Sequence, residues 1–416
     1  MKHAAAAARR RTSRFTRFSR RCILLAVLLG AGMPAVRAAT GFVYLGQQVV
    51  PNGLEFQGTI VGGLSAIDYD ARRNRYYTLS DDRRHARFYT LRLDLDKFER
   101  TPDAGMDGVK IEAVTRLRNA AGKPYRNNFV DPEGLRYDPR RDRLYWSDEG
   151  QRSRYAYLAP SLSVARRDGR SVAEMAVPDY YRPDGSIAGN APGDSGIHDN
   201  LSFESVALTP DARQVWTIPE NGLTQDSATA TPDRPSLSRL LGFDVDSGRP
   251  IHEYAYEVAP VVRPPLLPHL LALNGVADMI ALGDRQFLTL ERSFAIGAGT
   301  PGERGTGMTI RLFYVDARAA TDVLGLPSLA GRTLRKAEKT LLLDLSQLVN
   351  DDATPVVPEN LEGMSFGPCY RGKPTLLLIA DDNFHMLQRT QIVALSIYDP
   401  LPAPLPPAAR CESGSP

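Results

Sequence analysis

Asp131-Pro-Glu-Gly-Leu-Arg-Tyr-Asp138, followed after a short polar turn by Arg143-Leu-Tyr-Trp-Ser-Asp-Glu149, reads as strand, turn, strand. Aromatic and β-branched runs flank a charged connection, which is hairpin chemistry. The pattern recurs. Gly63–Asp70 with Arg75–Asp82 precedes it, and Phe203–Asp211 with Gln214–Asn221 follows it. Gly275–Leu282 with Gln286–Arg292 and Asn360–Gly367 with Thr375–Asn383 complete five copies. Self-similarity of this kind marks a repeat architecture.

Further strand-like runs follow the hairpins, among them Arg87–Leu95, Leu240–Val245, Glu253–Val258, Thr309–Val315 and Gln391–Tyr398. Four strands per unit make a propeller blade. The last unit lacks its fourth strand, and Phe42–Val50 can supply it and close the ring, which removes exposed sheet edges. The expectation is an all-β fold: one β-propeller domain over residues 39–400, with five or six blades, closed by the N-terminal strand. The copies lie far apart, with 71 positions from Glu133 to Glu204, against the roughly 40–45 residues of a WD40 blade. Long loops fill the difference, read at 179–200 and 221–235, and the stretch 317–339 is read as holding a short helix. The Pro-rich tail 401–416 reads as extended and mobile.

Acidic residues fall at two recurrent points. One lies at the start of the first strand: Glu133, Glu204, Asp278 and Glu362, with Ser65 in the first copy. The other lies at the end of the second strand: Asp81, Asp82, Asp148, Glu149, Glu220, Glu291, Asp381 and Asp382. An antiparallel hairpin brings both points to the same end, and a ring of blades brings those ends to one face. The spacing therefore predicts a ring of carboxylates at one mouth of the channel. Crowded carboxylates repel unless a cation sits among them, and Ca2+ suits hard oxygen ligands in irregular geometry. Asp81, Asp82, Asp148, Asp278, Asp381 and Asp382 are the candidate metal ligands. Glu133, Glu204 and Glu362 are the candidate catalytic carboxylates, and Arg83, Arg292 and Asn383 the candidate substrate contacts. The bland reading is turn chemistry, with each acid accepting backbone N–H groups.

Up to Arg37 the chain carries nine Lys and Arg and no Asp or Glu, with an apolar run from Cys22 to about Met33. That run is shorter than the roughly 20 residues of a membrane span. Basic region, apolar run and the small residues around Ala38 read as a signal peptide over 1–38. Ser19-Arg20-Arg21-Cys22-Ile23-Leu24-Leu25 is also consistent with twin-arginine export. A periplasmic or secreted protein is expected, with no membrane span after cleavage. The whole chain is +3, and without the leader 42 basic residues face 48 acidic ones, a balance of −6. Nucleic-acid binding is thereby disfavoured. Cys369 and Cys411 remain; they either pair or stay free. No histidines stand at zinc-ligand spacing.

As a set, Gly62–Tyr69 with Ser80–Arg83, Asp131-Pro-Glu133-Gly134-Leu135, Phe203-Glu204-Ser205, Leu290-Glu291-Arg292 and Asn360–Gly363 with Asp381–Phe384 resemble the phytase-like family called "esterase-like activity of phytase". The resemblance spans residues 42–400. It implies a secreted propeller that hydrolyses a small-molecule ester or phosphoester. An alternative is a non-catalytic propeller that binds a small molecule, glycan or protein around a structural metal. Gly363-Met-Ser365-Phe-Gly367 fits G-x-S-x-G, but Ser365 falls in an expected strand rather than on the strand-to-helix elbow that motif needs. Gly193-Asp-Ser195-Gly196 lies in loop and lacks matching His and Asp context.

Overall fold

A computed structural model describes residues 41–298, 307–398 and 400–411. The signal-peptide reading lies outside these residues. The described residues form one compact unit built around five four-stranded antiparallel sheets. Blade 1 runs Leu64–Asp70, Arg75–Ser80, Arg87–Leu93 and Val109–Arg116. Blade 2 is Pro132–Asp138, Arg143–Asp148, Ser161–Arg166 and Ser171–Glu174. Blade 3 is Ala207–Leu208, Gln214–Thr217, Ser236–Asp244 and Pro250–Val258. Blade 4 is Ala272–Gly283, Gln286–Ala295, Met308–Asp316 and Glu338–Asp344. Blade 5 is Leu361–Phe366, Thr375–Ala380 and Thr390–Ile397, and its fourth strand is Phe42–Val50. Phe42 pairs with Ile397 and Val50 with Thr390, so the expected closure is the one observed.

The first strand of each blade touches the first strands of the two neighbouring blades, around and back to the start. These five strands therefore line the centre. Between adjacent blades lie apolar layers, such as Leu79, Phe88, Leu135, Leu144 and Trp146 between blades 1 and 2, and Leu290, Leu312, Met364, Leu378 and Val393 between blades 4 and 5. Alternation along each strand supplies one row to each layer.

Each inner hairpin turns through the left-handed region, at Asn74, Asp142, Ala212, Arg285 and the pair Arg371-Gly372. Asn and Asp take that conformation with little strain. In blades 1 and 2 an aspartate holds the turn as well. Asp70 Oδ1 accepts the N–H groups of Arg72 and Arg73, and Asp138 Oδ1 those of Arg140 and Arg141.

Of the five or six blades expected, five are present, and loops account for the wide spacing as expected. Two expectations need revision. The stretch 317–337 forms no helix; Gly325, Pro327 and Gly331 interrupt it, and Val323 and Leu329 pack on Ala255 as a small separate core. The tail is docked over its described part. Ala403 is buried against the layer between blades 4 and 5, with Leu401 and Leu405 beside it. A disulfide joins Cys369 to Cys411 at a Cα separation of 5.6 Å. Among the described residues no helix is long and apolar enough to cross a membrane.

A carboxylate cluster at one mouth of the channel

Strand register sets out the site. Leu64 pairs with Ser80 and Ala66 with Leu79, which leaves Ser65 in a bulge. Glu362 occupies the same bulge in blade 5, between Leu361 and Gly363. In blade 4 the bulged residue is Ala277, because Val276 pairs with Glu291 and Asp278 with Leu290. The inner-strand ring is thus Ser65, Glu133, Glu204, Ala277 and Glu362. Asp278 was expected to share this position and does not. It stands one residue further along, level with Ala66 and Gly363, and a one-residue step changes the face a side chain takes.

A second ring comes from the ends of the second strands. The N–H of Asp81 donates to Gly63 O at 2.8 Å, that of Glu149 to Asp131 O at 3.0 Å, that of Glu220 to Ser202 O at 2.6 Å, and that of Asp381 to Asn360 O at 3.0 Å. In blade 4 Arg292 holds the equivalent place, opposite Gly275. Four blades therefore contribute a carboxylate here and the fifth contributes a guanidinium.

Glycine is required at two points of this rim. Gly63 has φ +62, and a Cβ there would meet Asp81 Oδ1 at 2.0 Å. A Cβ on Gly275 would meet Glu220 Cγ at 2.0 Å. The bare backbone lets the acids lie across it.

Two groups of carboxylates converge closely enough to share an ion. Asp131, Glu133 and Glu149 bring oxygens within 4.8 Å of one another, as do Glu149, Glu204 and Glu220. Glu149 belongs to both groups. Its Oε1 accepts the Ser202 N–H at 2.8 Å, while its Oε2 is buried without a partner, as is Asp81 Oδ1. Burial pushes Glu133, Glu149, Glu204, Asp81 and Asp381 well above the usual carboxylate range, and neighbouring carboxylates push them further. Burial lifts Glu220 to about 7 although Arg292 opposes the rise. The cluster holds more negative charge than its own cations balance, and unpartnered buried oxygens are costly.

The cations sit on the flanks. Arg292 donates to Asn360 Oδ1 at 2.8 Å and to Glu220 Oε1 at 3.0 Å, and lies 3.2 Å from Glu362 Oε1. Its Nε is buried and unpartnered. Arg83 pairs with Asp131, with Nε to Oδ1 at 2.7 Å, and donates to Asn200 at 2.6 Å.

Of the residues singled out from the sequence, the fold brings together Glu133, Glu204, Glu362, Asp81, Asp381, Arg292 and Arg83. The others are engaged elsewhere. Asp82 pairs with Arg87 at 2.5 Å. Asp382 accepts the N–H groups of Gly63 and Phe384 at 2.8 and 3.0 Å. Asp148 accepts those of Asp131 and Gly150 at 2.9 and 3.1 Å. Asn383 donates to Gln388 on the surface. Asp278 is buried against Arg136 of blade 2, with both carboxylate oxygens within 2.9 Å of Nη2, and it also accepts the Met364 N–H of blade 5. This pair ties three blades together beneath the cluster. Asp131, Glu149 and Glu220 complete the cluster without having been selected, although Glu149 and Glu220 stand at one of the recurrent acidic points. Ser365 lies within a strand with Oγ 3.3 Å from Asp68, three residues down the strand from Glu362.

Fold and site together define a five-bladed propeller with an acid-lined mouth. The chain belongs to the phytase-like family described as "Esterase-like activity of phytase", which it matches over residues 59–384. Among curated proteins none matches it. Among solved structures it is similar to an endo-arabinase from Bacteroides thetaiotaomicron VPI-5482, at 10% identity and TM-score 0.41, over 86% of this chain and 99% of that one. It is also similar to a thermostable family-43 glycoside hydrolase, at 8% identity and TM-score 0.41, over 85% and 99% of the two chains.

Proposed function

We propose that the protein is an exported, metal-dependent hydrolase of a small-molecule ester, and of a phosphoester in particular. The observation that carries this is the double role of Glu149, whose unpartnered buried oxygen stands where two carboxylate groups meet. An all-oxygen, strongly anionic donor set fits a hard divalent cation, and Ca2+ tolerates its irregular geometry. Asp131, Glu133, Glu149, Glu204 and Glu220 would hold the ion. When bound, it supplies Lewis acidity to an ester oxygen and lowers the pKa of coordinated water.

The chain's own groups do the rest. Arg292, with its free Nε and its place opposite Glu220, binds and orients an anionic ester oxygen. Gly275 and Ala277 keep blade 4 open beside it. Glu362, hydrogen-bonded at Oε1 by Asn360 Nδ2 at 2.9 Å, is placed to take a proton from an attacking water. The disulfide suits an oxidising compartment, in keeping with the signal-peptide reading of residues 1–38.

The test is hydrolysis of p-nitrophenyl phosphate, bis(p-nitrophenyl) phosphate and p-nitrophenyl acetate by the mature protein, each with Ca2+ and with EDTA. Calcium-dependent release from the phosphate esters is expected. Acetate cleavage that survives EDTA would point to Ser365 instead. Silence on all three, with bound calcium detected by elemental analysis, would mean a binding propeller around a structural ion.

A further inference from the structure

A cavity of about 670 Å³ opens on blade 1 directly beside the cluster, with Asp81 in its wall. Its arginines fall into two sets. Arg87 is buried and committed to Asp82, Tyr89 and Ile60 O, and Arg83 is committed to Asp131 and Asn200. Arg84 and Arg116 also line the cavity and are exposed. Neither guanidinium has a hydrogen-bond or ion-pair partner among the described residues.

Besides the arginines the wall carries the carboxylates of Asp81 and Asp82, the polar side chains of Thr59, His85 and Asn128, and an apolar part. Ile60 is 50% exposed and Phe384 44% exposed, both facing the same cavity. The Arg87 guanidinium lies over the Phe384 ring, 5.7 Å from its centroid. Asp82, whose carboxylate fixes Arg87, also accepts the backbone N–H groups of Arg84 and His85 at 2.8 and 3.1 Å. One aspartate thus sets both the aromatic wall and the start of the cationic one. Exposed aromatic surface beside unpaired guanidinium groups is the chemistry of a site for an organic anion.

We propose that this cavity binds an organic anion, with an apolar or aromatic body against Phe384 and Ile60 and a phosphate or carboxylate toward Arg84 and Arg116. On the hydrolase reading, on which this role rests, the cavity holds the part of the substrate that carries a second anionic group. The ester to be cleaved then lies past Asp81, in the cluster.

Binding is measured by calorimetry in EDTA, so that no metal-held contact contributes, using 1-naphthyl phosphate and inorganic phosphate as probes. The wild type should bind the naphthyl ester roughly ten-fold or more tighter than inorganic phosphate. R84E/R116E should lose at least about ten-fold in affinity for 1-naphthyl phosphate, and R84Q/R116Q should lose part of it. F384A should abolish the preference for the naphthyl ester. Overturning results are no binding by the wild type at millimolar probe, or unchanged affinity in both double variants with unchanged circular dichroism. Because EDTA binding needs no turnover, a protein that binds the probe yet cleaves no ester with Ca2+ would sink the hydrolase reading and leave the anion cavity standing.

Discussion

Arg292 of blade 4 donates to Glu220 of blade 3 at 3.0 Å, from the ring position where the other four blades each place a carboxylate. The ring is therefore polar as well as acidic, with one carboxylate on each of blades 1, 2, 3 and 5 and a guanidinium on blade 4 beside Gly275. An anion bridging a cation and Arg292 would meet opposite sides of the same mouth.

Replacing Arg292 by Met should lower kcat/KM for phosphate esters by roughly 10- to 100-fold, the range of a lost charge-assisted hydrogen bond. R292K should recover part of the loss. Calcium content should not fall, since Arg292 is no ligand. Steady-state kinetics with elemental analysis of the same samples checks both halves, and an R292M enzyme with wild-type kinetics contradicts the assignment.

Glu149→Gln should separate metal binding from apo stability. The substitution removes one charge from a crowded buried cluster, so the apoprotein should melt higher than apo wild type. It also removes the ligand common to both carboxylate groups, so the rise in Tm produced by added Ca2+ should shrink or vanish. Thermal melts with EDTA and with Ca2+ read the two effects directly.

Asp278 provides a pH signature independent of the cluster. Burial raises its pKa to about 6, although Arg136 opposes the rise, against an ordinary value near 3.9 in the unfolded chain. The folded state then binds the extra proton between those values, so this group's contribution to stability falls as pH rises from about 4 to about 6. The shift corresponds to about 3 kcal/mol. D278N carries no such proton, and its stability should decline less over that window. Urea unfolding at pH 4, 5, 6 and 7 compares the slopes; parallel curves would remove Asp278 from the account.

The Cys369–Cys411 bond closes a separation of 42 residues, for which chain entropy predicts a contribution of about 4 kcal/mol. The C369S/C411S variant should melt lower, and its tail after residue 400 should become open to proteolysis. The carboxylate mouth is built from other segments, so turnover of p-nitrophenyl phosphate at 25 °C should be kept. Limited proteolysis followed by mass spectrometry locates the first cut.

The repeat, the closing strand Phe42–Val50 and the gathering of acids at one mouth were all legible in the chain itself. They rest on period-two alternation and on hairpin turns, and both are local properties. Which acid of each pair enters the mouth was not local. Asp148 and Glu149 are neighbours in sequence, yet one caps the Asp131 and Gly150 N–H groups and the other joins two carboxylate groups. The bulge in each inner hairpin sets that choice, and in blade 4 it puts Ala277 rather than Asp278 at the ring. A bulge adds one residue to one strand, and one residue exchanges the two faces. Whether Arg292 faces carboxylates, and whether Arg84 and Arg116 stay unpaired, depends on residues tens to hundreds of positions away. The amino-acid sequence by itself determined that this chain closes a ring of hairpins whose tips are mostly acidic; only the tertiary structure decided that there are five and which tips meet, because register and blade order, not proximity in sequence, bring them within reach.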